Sequence, residues 1–86
     1  MNKGSKALLP PLSNEAKALI PGSLYEHYKG HPYKLLYVAR HSETLEEYVV
    51  YQALYGDHGI WIRPLQMFLE EVVINGQTVP RFKRVD

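Results

Sequence analysis

Arginine, histidine and glutamate fall together in the run Arg40-His41-Ser42-Glu43-Thr44, the densest polar stretch of the chain. These side-chain types suit an anion: Arg40 and Arg63 as a fork for a carboxylate or phosphate, His41 as a proton carrier, and Glu43 or Glu47 as the acid that orients it. A plainer reading gives the same residues to structure. Ser42 and Thr44 would bond local backbone in a turn, and the arginines would pair with Glu46, Glu47 or Glu70. A second constellation is aromatic: Tyr51, Tyr55, Trp61 and the neighbouring Arg63. An exposed shelf of rings with an arginine suits a proline-rich peptide, a cationic side chain or a nucleotide base. Burial of the same rings in a core is the competing expectation.

Other chemistries find little support. His27 and His31 stand four apart, a metal-ligand spacing on a helix, but Gly30 and the surrounding strand pattern spoil that geometry. Ser42 lies beside His41 without the glycine-flanked elbow that exposes a nucleophile, and no glycine-rich loop opens a helix to cradle phosphate. No metal and no cofactor are expected.

The elements that must position these residues are short strands. Aromatic and β-branched runs over residues 24–29, 33–41, 46–55, 60–63 and 70–74 are separated by turn residues, with Pro64 opening a helical turn to Phe68. Asn75-Gly76 predicts a type I′ hairpin to Thr78 and Val79, because both central positions need positive φ. Pro80 confines the last segment to a sheet edge. The sum predicts a mainly β fold, a small five-stranded barrel of the SH3-like type with one helical turn, and an OB-like barrel as the alternative. Alternation along 48–55 puts Tyr51 and Tyr55 on one face with Val49 and Ala53, and Tyr48, Val50 and Leu54 on the other. With Ile60 and Ile62 inward, Trp61 and Arg63 would form the exposed shelf.

Residues 1–22 read as an extension ahead of a β domain spanning 23–86. Ser13 is an N-cap candidate, Glu15 sits in the first turn, and Pro21-Gly22 stop the short helix. Leu9-Pro10-Pro11-Leu12 resembles what aromatic grooves bind, so this segment would fill the chain's own groove or a neighbour's, giving self-association through residues 1–22.

Size and charge narrow the function. A chain of 86 residues without cysteine makes one small domain, and seven tyrosines, two phenylalanines and Trp61 supply its bulk. Beyond residue 22, seven Lys or Arg face eight Asp or Glu, a balance that disfavours strong nucleic-acid binding. Arg81, Lys83 and Arg84 read as a solubilising tail. No stretch approaches the ~20 apolar residues of a membrane span, and a cytoplasmic location is expected.

The stretches YKGHPY (28–33), ARHSETLEEYVVYQALYG (39–56), WIRPLQMFLE (61–70) and PRF (80–82) resemble a small bacterial family, domain of unknown function 1653. The resemblance implies a domain boundary and no activity. The favoured reading is a non-catalytic binding module for a protein, peptide or nucleotide, using Trp61, Arg63, Tyr51 and Tyr55. The alternatives are a small enzyme or accessory domain acting on an anion through Arg40, His41, Glu43 and Arg63, or a weak nucleic-acid-binding barrel.

Overall fold

A computed structural model describes residues 9–86. Two helices and seven strands follow in order: α1 (Asn14–Ala18), β1 (Leu24–His27), β2 (Pro32–Arg40), β3 (Glu47–Ala53), β4 (Ile60–Pro64), α2 (Leu65–Leu69), β5 (Glu71–Ile74), β6 (Gln77–Pro80) and β7 (Phe82–Arg84). Five of them form one antiparallel sheet in the order β4-β3-β2-β1-β7, while β5 and β6 make a separate ribbon. The sheet is open, with β4 and β7 as its edges, so the expected closure into an SH3-like barrel does not occur. The fold is mainly β with short helices on one face.

Local chemistry sets the elements. Ser13 takes extended backbone angles and its hydroxyl accepts the amide of Ala16 at 3.1 Å, capping α1 as its sequence position predicts. The same serine donates its amide and its hydroxyl to the Glu47 carboxylate, each at 2.7 Å, which ties the extension to β3. Asn75 and Gly76 both have positive φ, 51° and 80°, as the type I′ turn requires. Within the β2–β3 pair the register slips between Leu35 and Tyr37, so Leu36 and Tyr37 together face Val50 in a bulge.

The core lies between one sheet face and the two helices. Leu35, Val49 and Phe68 are fully buried, joined by Ala16, Tyr25, Tyr51, Leu65 and Phe82, with Leu12 and Leu19 packed against them. Phe68 stacks on Phe82 at 4.3 Å between centroids, and Tyr25 meets Phe68 edge-on at 5.3 Å. The charged C-terminal run is therefore no solubilising tail. Its Phe82 is buried and pairs with His27 across the β1–β7 ladder, Arg81 bonds Glu70 at 2.6 Å, and Arg84 bonds Asp86 at 3.0 Å.

Glu47 gives this frame a pH dependence. The Ser13 hydroxyl and amide hold its carboxyl below the ordinary glutamate value. A depressed folded pKa stabilises above the unfolded value of about 4.3 and loses that stabilisation as pH falls through the lowered folded value. Urea midpoints recorded down this acid range should fall less steeply for Glu47→Gln than for the parent, and identical slopes would contradict the assignment.

Candidate functional site

Strand alternation places Tyr33 and Leu35 of β2, Val49, Tyr51 and Ala53 of β3, and Trp61 and Arg63 of β4 on the face that carries the helices. Tyr51, Trp61 and Arg63 share a face, as the sequence predicts, but it is the core face. Ile60 and Ile62 point outward and are 60% and 64% exposed, the reverse of the expectation.

Rings gather at one end of the core face. The hydroxyls of Tyr33 and Tyr55 lie 2.6 Å apart, and the imidazole of His31 stacks on Tyr55 at 4.5 Å. Tyr33 also meets Tyr51 and Phe82 edge-on at 5.4 and 5.5 Å, while His27 packs on Phe82 at 5.0 Å. Arg63 reaches into this group: its Nε donates to the Tyr51 hydroxyl at 3.2 Å, and its guanidinium carbon sits 5.7 Å from the Phe82 ring centre. No carboxylate pairs with Arg63 among the described residues.

Electrostatics follow from that packing. Burial lowers the pKa of His27, and the charges of Arg63, Arg81, Lys29 and His31 lower it further. Burial and the hydrogen bond with Tyr55 push the Tyr33 phenol up to about 12. Both groups favour their neutral forms beside an arginine that has no acidic partner among the described residues. His27 also lines a cleft of about 350 Å³ with Glu26, Tyr28, Gly30, Val79, Pro80 and Lys83, where the β5–β6 ribbon comes near β1.

The sequence-predicted residues divide between two places. Arg40 donates to the carbonyl of Pro10, and the imidazole Nδ1 of His41 accepts the amides of Glu43 and Thr44 at 3.0 and 3.3 Å. That polar run shapes the β2–β3 turn and holds the N-terminal segment. Arg40 and Arg63 do not form a fork, since each has a different partner. Tyr51, only 5% exposed, is floor rather than shelf, whereas Tyr55 and Trp61 are 39% and 59% exposed. The indole of Trp61 lies over Gly59, where an added Cβ would come within 3.5 Å of Nε1. Sequence reasoning missed Tyr33, His31 and Phe82 as members of the cluster. The ring density of His31-Pro32-Tyr33 was the available signal, but their meeting with Tyr55 and Arg63 depends on strand order.

A small open-sheet β domain with an arginine set among rings is the class that fold and site define. The family model for a protein of unknown function, DUF1653, matches residues 23–84, and the chain belongs to that family. A crystal structure of a protein of the same family from Bordetella bronchiseptica is 39% identical, with a TM-score of 0.72 over 81% of this chain and 91% of that one. No curated protein matches. No helix among the described residues is long and apolar enough to cross a membrane.

Proposed function

We propose that the domain is a binding module whose site is the ring cluster around Arg63, and that it takes a small anionic group, carboxylate or phosphate, carried next to a flat or apolar moiety. The observation that carries this reading is Arg63 itself. It is half-buried, anchored by one bond to Tyr51, and lacks an acidic partner among the described residues. A guanidinium so placed keeps donors for an incoming oxyanion, and charge-assisted bonds of this kind are roughly twice as strong as neutral ones. Tyr33, Tyr55 and Trp61 offer hydroxyls and ring faces beside it. The charge-poor balance of the domain also favours a small ligand over a polyanion.

Titration with inorganic phosphate and with a nucleoside monophosphate, followed by NMR, tests the reading. An anion beside Arg63 offsets one of the positive charges that depress His27, so the His27 pKa should rise on binding and Arg63→Gln should abolish the response. No shift at Arg63, Tyr51 or His27 with either ligand at millimolar concentration would refute it.

A further inference from the structure

Among the described residues, nothing covers the sheet face turned away from the helices. Antiparallel sheets with one solvated face normally alternate apolar and polar residues, and this one does not. Tyr37, Ile60 and Ile62 are 65%, 60% and 64% exposed, and register aligns Tyr37, Val50 and Ile62 in one row across β2, β3 and β4. The bulge adds Leu36 to this row, and Tyr48 extends it along β3. No charged side chain interrupts the outward positions from Leu36 to Ala39, from Tyr48 to Gln52 or from Ile60 to Pro64.

We infer that a second copy of this chain packs on the uncharged outer face of β2, β3 and β4, back to back, to form a two-fold dimer. Three observations favour a copy over another occupant. The patch is continuous across three adjacent strands, with Tyr37, Ile60 and Ile62 exposed on it, the kind of contiguous apolar surface that marks an association site. It has no charge to repel an identical patch, and the whole chain carries only +1. Its rims are complementary under a two-fold axis: Glu46, which accepts the Tyr48 hydroxyl at 3.3 Å, lies at one end of the strands, and Lys34, opposite Gln52, lies towards the other. Neither has an ion-pair partner among the described residues. Reversing strand direction across an isologous interface sets Glu46 of each copy over Lys34 of the other.

Sedimentation equilibrium of the full chain tests this. A concentration-dependent shift from 9.9 kDa to twice that mass is expected. Tyr37→Lys combined with Ile62→Lys should weaken the dimer at least tenfold while the circular dichroism spectrum stays unchanged, and the thermal midpoint should lose its dependence on protein concentration. Should that variant misfold, charge reversal at the rims serves: Lys34→Glu and Glu46→Lys should each weaken association several-fold, and the double swap should restore it. A chain that remains monomeric to ~1 mM, a Kd scale worth only about 4 kcal/mol, would overturn the proposal. So would a dimer indifferent to all four substitutions.

Discussion

Phe68→Ala should remove a large share of the domain's stability. Phe68 is 1% exposed, stacks on Phe82, meets Tyr25 edge-on and packs on Tyr51 at 5.6 Å, so its removal takes the centre from every aromatic contact that joins α2 to the sheet. Large-to-small changes at such sites cost about 3–5 kcal/mol. A domain of this length has a total stability of about 4–13 kcal/mol at typical per-residue values, so the loss takes a large share. Urea denaturation followed by circular dichroism measures it. A loss below ~1 kcal/mol would mean that the rings repack and that the stack carries little.

Removal of residues 1–19 should cost about 2–4 kcal/mol, although the family model begins at residue 23. Ala16 is 2% exposed against the core, Leu12 and Leu19 pack beside it, and Ser13 satisfies Glu47. Without this segment Leu35 and Val49 would meet water, and Arg40 would lose the Pro10 carbonyl. The emission of Trp61 should stay nearly constant, since its ring is already largely exposed. An unchanged thermal midpoint would show that the β domain is self-sufficient and that the docked helix is ornament.

Local signals were legible in the sequence and tertiary ones only in part. Ser13 and Asn75-Gly76 act through their own backbone neighbours, so residue type alone predicts the cap and the turn. Alternation along β3 also separates the faces correctly, with Val49, Tyr51 and Ala53 together. It does not say which face the helices cover, and for that reason Ile60 and Ile62 lie outside and Tyr51 inside, the reverse of what alternation alone suggests. Phe82 escaped notice because Arg81, Lys83 and Arg84 surround it; a strand of three residues has too little alternation to outweigh that charge. The mainly β expectation holds, and the sheet stays open through its topology: β7 adds to β1, while β5 and β6 pair with each other, leaving β4 and β7 as edges. At the candidate site Arg63, Tyr55 and Trp61 were found through their residue types, whereas Tyr33, His27 and His31 join only once β1 and β2 are set beside β3.

The extra residue opposite Val50 carries a consequence for descent. Up to Leu35 the odd-numbered positions of β2 face the helices, and from Val38 onward the even-numbered ones do, so the strand reads in two phases joined by a single hinge of parity. Loss of one codon there, taking Leu36, would leave a plain ladder with Val38 and Arg40 still facing the helices, whereas a loss elsewhere in β2 would invert every position beyond it. A one-residue gap among relatives should therefore be tolerated within β2 only at residues 36–37, and other changes of length should collect in the turn at 54–59, where length can drift without inverting a strand.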